Sequence, residues 1–309
     1  MKSASKYDDG KALFIGPNIT QYDGHMVMSN VNKPTKRKYI NIDTNFRDDY
    51  SDYNSAALAS CTVTLPDRIN DVKAMVVRNA EIPMTIYNIS SAIGNNAFQI
   101  ISGASSTVAT IPDGNYTDTT TFATAVNAAI QALAVTYRNL RYSVANNKSA
   151  FDASSGSYTI NFAVSATGAA DVYNLKRKLG WAFGFRQPSY TITTQKTTSE
   201  GFIDLTGLRY LYLVVDEFTR GNQNSFIAPL ASSLVRKNIL ARLALNKVTW
   251  QFGTVLTANN FNGYLLSDHR TYSGKVDIQK LSIQLVDDIG NPVCLNGMEF
   301  SFCLEVEHE

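Results

Sequence analysis

The chain is poor in the residues from which catalytic and metal sites are built. It has three cysteines and three histidines in 309 residues. Cys61, Cys294 and Cys303 are odd in number, lack metal-ligand spacing, and each falls in or beside an expected strand. They read as reduced core or surface residues, which points to assembly in a reducing compartment. His25, His269 and His308 fall in an N-terminal arm, a loop and the final residues. Only His269, within Ser267-Asp-His-Arg270, has a neighbouring carboxylate, and no nucleophile or metal partner accompanies it. There is no P-loop, no strand running into a GxGxxG turn, no nucleophile elbow and no paired-histidine zinc motif. The carboxylate pairs Asp216-Glu217 and Asp287-Asp288 sit at strand ends without calcium-loop spacing, where such residues form turns. The expectation is a protein that is not an enzyme and carries no cofactor or metal.

Charge and long apolar runs are also scarce. Charged residues make up 17% and the net charge is +2, so the balance demands neither nucleic acid nor anionic lipid as a partner. No stretch approaches the length of a membrane-spanning helix, and MKSASKYDDGKALF lacks the apolar core of a signal peptide, which predicts a soluble chain made inside the cell. The sequons at Asn18, Asn88, Asn115 and Asn147 are then chance matches.

What the chain does have is sheet-forming composition: 44% hydrophobic residues, 16 Tyr and 15 Phe, with frequent Thr, Asn and Ser. Residues 1–38 mix Lys, Asp, Asn, Gly and Met without periodicity and read as an extended arm ending in the basic run Lys33-Pro-Thr-Lys-Arg-Lys38. Residues 39–43, 61–65 and 72–82 read as three strands, with stops at Pro66 and Pro83. Short strands at 98–102 and 107–111 precede the turn Pro112-Asp-Gly-Asn-Tyr116. A helix follows, capped by Asp118 or Thr119, with Phe122, Val126, Ile130 and Leu133 on one face as far as about residue 136. Strands at 141–145 and 158–164, separated by a polar turn-rich run at 146–156, complete a β-β-α-β-β unit. It closes at Leu179-Gly-Trp-Ala-Phe-Gly-Phe185. Further strands are expected at 202–205, 210–215, 239–245, 281–285 and 300–307, with 254–273 a long contact loop.

The last strands present a wholly apolar face and look built to pair with residues 38–90. Three strands before the inserted unit and about five after it give the count of a jelly roll, though an immunoglobulin-like sandwich fits the alternation as well. The expected fold is therefore mainly β: a jelly-roll antiparallel sandwich with an inserted small α+β unit. Residues 1–38 would form the arm, 39–94 and 199–309 the body, and 95–198 the insertion. Expected interface residues are Lys36, Arg37 and Lys38 of the basic run, Trp181 and Phe185 of the aromatic cluster, and Tyr264 and His269 of the long loop.

Four stretches together resemble a family of capsid structural proteins, the penton and minor capsid proteins of nucleocytoplasmic large DNA viruses. They are Tyr39-Ile-Asn-Ile-Asp-Thr-Asn-Phe-Arg-Asp48; Leu65-Pro-Asp-Arg-Ile-Asn-Asp-Val-Lys73 with Ala80-Glu-Ile-Pro83 and Tyr87-Asn-Ile-Ser90; Ile111-Pro-Asp-Gly-Asn-Tyr-Thr117 with Leu179-Gly-Trp181 in place of the more usual Leu-Gly-Phe; and Leu295-Asn-Gly-Met-Glu-Phe-Ser-Phe302. The resemblance implies a jelly-roll body placed between or beneath capsomers of a large icosahedral shell. It implies major capsid protein capsomers and other minor capsid proteins as partners, with a homo-pentamer if the protein stands at a vertex and an inner-membrane contact if it lies below. It also implies a virion location after assembly in host cytoplasm, with no specific nucleic acid bound. The alternative is a surface β-sandwich that binds host glycan or receptor through its loops.

Overall fold

The computed structural model describes residues 34–51, 59–172, 174–219, 222–223 and 238–309. The arm as far as residue 33, and with it His25, lies outside the described residues.

One strand organises the body. β1 (Lys36–Asp43) leads through a 3-10 turn towards β2 (Ser60–Pro83), a continuous strand of 24 residues. The separate strands expected at 61–65 and 72–82 are thus one. Straight, it would span about 80 Å, far more than one sheet layer, so it must bend. It does so where its pairing with β15 (Arg270–Val286) slips, between Thr64↔Lys280 and Ile69↔Ile278. Pro66 sits inside that slip, where a missing N–H costs the ladder nothing, and Asp71 takes a left-handed conformation at φ 56°. A proline read as a strand stop is here a bulge residue.

Beyond the bend β2 lies between two partners. β16 (Ser301–His308) pairs with it from Val72 to Glu81, and on its other side β13 (Val255–Asn259) pairs from Asn79 to Pro83. β1 covers the far side of β16 from Lys36↔His308 to Asp43↔Ser301. On the other flank β15 continues into β10 (Tyr210–Asp216), β12 (Ile239–Ala244) and β14 (Leu265–Ser267), while β11 (Asn222–Gln223) adds to β15. All these pairings are antiparallel. Alternating residues of both flanks, among them Val63, Leu65, Val77, Leu213, Leu243, Leu281, Ile283, Leu304 and Val306, bury into a single core, so the strands curl into a jelly-roll sandwich. As the sequence predicts, residues 38–90 pair with the strands around 281–285 and 300–306.

The inserted unit has its own core. β3 (Ala97–Ser102), β4 (Ser105–Thr110), β7 (Tyr158–Asn161) and β8 (Ser189–Ile192) form one sheet. β5 (Leu140–Ala145), β6 (Lys148–Ala153) and β9 (Thr197–Thr198) form another. The helix α1 (Thr119–Gln131) starts where the sequence places it: the Asp118 carboxylate accepts the Thr121 N–H at 2.7 Å. Its apolar residues Phe122, Val126 and Ile130 are fully buried, but it ends at Gln131, and a 3-10 turn at Val135–Tyr137 replaces its expected last turn. The short helix α2 (Leu179–Phe183) owes its sequence to packing. A Cβ at Gly180 would lie 2.4 Å from the Phe162 ring, and Gly184 ends the helix at φ 94° with the Gly201 carbonyl 2.4 Å from where its Cβ would be. This lets Phe183 reach the centre of the unit, where it touches Phe98, Phe122, Tyr142, Phe151 and Phe162 at centroid distances of 4.7–6.3 Å.

Three local expectations differ from the structure. The run 146–156 contains β6, because Asn146 and Asn147 both take positive φ (52° and 58°) and turn β5 back on itself as a two-residue hairpin. Residues 202–205 are not a strand; Ile203 and Asp204 instead donate backbone bonds to the Asn147 and Ala182 carbonyls of the inserted unit. Residues 254–273 hold β13, β14 and the start of β15, so the long loop shrinks to a turn between β13 and β14 and a short corner.

Replacing Phe183 with Ala would empty the shared contact of five rings. We expect a loss of about 3–5 kcal/mol of stability in denaturant titration, with tryptophan and aromatic signals of the inserted unit changing first.

Candidate assembly interface

The stretches that carry the family resemblance meet in pairs. Arg47, from the first, lies buried against Glu299 of the last, with Nη1 to Oε1 at 2.5 Å, while Thr44 N–H donates to the Phe300 carbonyl at 3.0 Å. Ile89 forms a two-way backbone bridge with Gly114, and the Asp113 carboxylate accepts the Ser91 N–H at 2.8 Å. Asn88 is buried with its amide donating to the Tyr116 and Leu205 carbonyls, both at 2.6 Å, and its oxygen accepting the Tyr116 N–H at 2.9 Å. One side chain thus ties the exit from β2 to both ends of the inserted unit. Arg177 adds an ionic tie across the same junction, with Nη2 at 2.8 Å from Asp287 and 2.5 Å from Asp288.

The carboxylate pairs are occupied by structure. Asp287 Oδ1 accepts the N–H groups of Ile289, Gly290 and Asn291, Asp216 caps the Phe218 N–H, and Glu217 is buried in an ion pair with Arg270 at 2.8 Å. Asp268 accepts the backbone N–H of His269 rather than orienting its ring. Among the described residues no cluster of His, Cys, Asp and Glu has metal-binding geometry.

The basic run falls on a sheet edge. Lys36, Arg37, Lys38 and Tyr39 are exposed on β1, which among the described residues pairs only with β16 and so offers a row of open backbone donors and acceptors. Its own attachment is ionic as well as backbone. Glu305 on β16 is 2% exposed and takes a fork from Arg78 on β2, Nε at 2.7 Å and Nη2 at 2.8 Å, while Arg37 approaches Glu305 and Glu307, each at 3.4 Å. Arg78, with smaller help from Tyr39 and Arg37, holds the Glu305 carboxyl down to about 2, and the Tyr39 hydroxyl is pushed up by its bond to Glu305.

The other expected residues separate. Trp181 is half-buried beneath the Arg186 guanidinium, 4.2 Å from its ring centroid. Phe185 is 1% exposed among Phe151, Phe162 and Tyr190, so it has no surface to offer a partner. Tyr264 leans on Trp250 at the end of the turn between β13 and β14, and His269 is half-buried at the corner after β14.

In that turn is a residue the sequence does not single out. Phe261 is fully exposed (101%), with Leu266 and Val255 exposed on the strands behind it. The turn is braced. Asn259 Oδ1 accepts the N–H groups of Phe261 and Asn262, Asn262 Oδ1 accepts those of Asn259 and Tyr264, and the Asn262 amide donates to the Thr257 carbonyl. The signal was a phenylalanine inside Asn259-Asn-Phe-Asn-Gly263, a turn whose other members are all polar or glycine. Phe46 and Tyr50, after β1, are similarly exposed.

Because the folded Glu305 carboxyl titrates below its ordinary value of 4.5, its contribution is complete above pH 4.5 and fades as pH falls towards about 2. Amide hydrogen exchange should accordingly show β1 losing protection across that window, and Glu305→Gln should remove the pH dependence; unchanged β1 protection between pH 5 and pH 2.5 would show that the backbone ladder alone holds the strand.

No family model matches the chain, and no curated protein matches it. Among solved structures it is similar to the crystal structure of the selenomethionine-labelled mavirus penton protein, with a TM-score of 0.44 and 12% identity over 90% of this chain and 100% of that one. It is also similar to a chain of the Sputnik virophage, solved by cryo-electron microscopy, with a TM-score of 0.39 and 14% identity over 89% of this chain and 98% of that one. At these values neither likeness transfers a role to this chain.

Proposed function

We propose that the chain is a structural protein of a large icosahedral viral capsid, a penton or minor capsid protein that acts by assembly contacts with capsomers. The observation that carries this reading is the braced, fully exposed Phe261 in the turn between β13 and β14. A large apolar side chain held rigidly in water is disfavoured in an isolated globule and is the usual form of an interface anchor. The open edge of β1, with Lys36, Arg37 and Lys38 leading into it, supplies a second contact element. The pairing of the four resemblance stretches at the junctions of the fold also supports the reading, since it gives those residues an architectural use.

In this reading residues 39–94 and 199–309 are the body, 95–198 the insertion and 1–38 an arm that reaches a neighbouring capsomer or the inner membrane. The site of action is the virion, reached by assembly in host cytoplasm. A vertex position would make the protein a pentamer through head-to-tail contacts.

Two variants test it. Phe261→Asp should fold, because its side chain touches nothing, yet lower incorporation into particles by roughly 30-fold or more, the loss of about 2 kcal/mol or more that follows truncation of an anchor. Deletion of residues 1–36 should leave a folded body that no longer incorporates. Normal incorporation of both, together with specific glycan binding by the purified chain, would replace this reading with that of a receptor-binding module.

A further inference from the structure

A cavity of about 470 Å³ opens at the junction of the two units. The body contributes Met84 at the end of β2 and Leu245 to Phe252 from the connection between β12 and β13; the inserted side contributes Asn115, Thr117 and Leu205. Its size lies within the roughly 300–1,000 Å³ of small-molecule sites. The walls are mainly apolar: Met84, Ile86, Leu205, Leu208, Leu245 and Phe252, several of them only half-buried in the chain by itself. Covering such side chains with the apolar surface of a ligand removes them from water, which is favourable.

The polar lining is sparse and one-signed. Lys247 is the sole charged residue among the lining side chains, with Asn115, Thr117 and Gln251 as neutral partners. Its ammonium donates to the Thr206 carbonyl, which fixes the head and leaves two of its three hydrogens for other acceptors. Burial lowers its proton affinity, and the nearby Asp204 opposes this in part; an anion in the cavity would oppose it further. Asp204 itself is engaged by Arg209 at 3.1 Å and by Thr206.

We propose that this cavity binds a single-chain aliphatic carboxylate, its carboxylate on Lys247 and its hydrocarbon chain against Met84, Ile86, Leu205, Leu208 and Phe252. Charge complementarity selects an anion over a neutral or cationic amphiphile, and the apolar walls select a medium-length chain over a small acid. Because the cavity is lined by both units, the ligand would also brace one against the other.

The test is isothermal titration of the full chain with decanoate, decanol and decylamine, all below their micellar concentrations. Decanoate should bind saturably at one site, at least tenfold more tightly than decanol, and decylamine should not bind. Lys247→Met, on a half-exposed side chain, should weaken decanoate at least tenfold and leave decanol unchanged, and Leu208→Trp should abolish both by filling the cavity. Lys247→Met keeps the test decisive should Leu208→Trp fail to fold. The proposal is overturned if decanoate shows no saturable binding, if Lys247→Met binds it as the wild type does, or if decylamine binds equally well.

Discussion

Everything in the body depends on the backbone ladder of β2. Its first part is held by β15, its second by β16 on one side and β13 on the other, so one strand takes part in both layers of the sandwich. The apolar faces of these neighbours bury into the core shared by both flanks, and that burial is what fixes the register, since a slip of one residue would turn Leu304 and Val306 to solvent. The bend at Pro66 and Asp71 is therefore an element of the architecture. Without it a strand of this length would run past the core it encloses.

The same ladder explains how a large insertion is tolerated. β2 ends at Pro83, and the chain returns to the body at β10 after the inserted unit has closed around its own ring cluster. The connection is not a loose hinge, because Asn88 and Arg177 bond across it with buried or nearly buried groups. Burying a polar side chain such as Asn88 is favourable only with every bond made, which requires both ends of the insertion to be in place together.

Much of this was legible in the residues. Period-2 alternation is plain in the last residues of β1, in β16 and in the second half of β15, where every other residue is apolar and turned to the core, and the cap and apolar stripe of α1 obey local rules. Strand count and the need to cover the last apolar face pointed to an antiparallel sandwich, of the jelly-roll or the immunoglobulin-like kind. What was not legible depends on distant partners. Pro66 reads locally as a stop, and only a slipped register makes it harmless. Val255 and Leu266 sit in a stretch rich in Asn and Gly whose strand character comes from β2 and β12 as neighbours. At the candidate interface, the exposure of Lys36, Arg37 and Lys38 could be read from charge, while the burial of Phe185 and the exposure of Phe261 could not, since each is an aromatic residue within two positions of a glycine. The difference lies in Gly180, which admits Phe162, and in the asparagine braces that hold Phe261 outward.

The distance in sequence between β2 and β16 has a consequence for synthesis. Arg78 and Glu305, which share the most specific contact between these strands, are 227 residues apart. On the ribosome the inserted unit, whose core residues all lie between residues 89 and 205, is synthesised long before β16 exists, whereas the edge of β2 that β16 covers must wait for it. Closure then comes in one late step, when β16 slides between β1 and β2. Among the described residues β1 pairs only with β16, so its register on the body is set at that same moment. The order of the strands in the gene thus acts as a timer that leaves the register of β1 open until β16 is made.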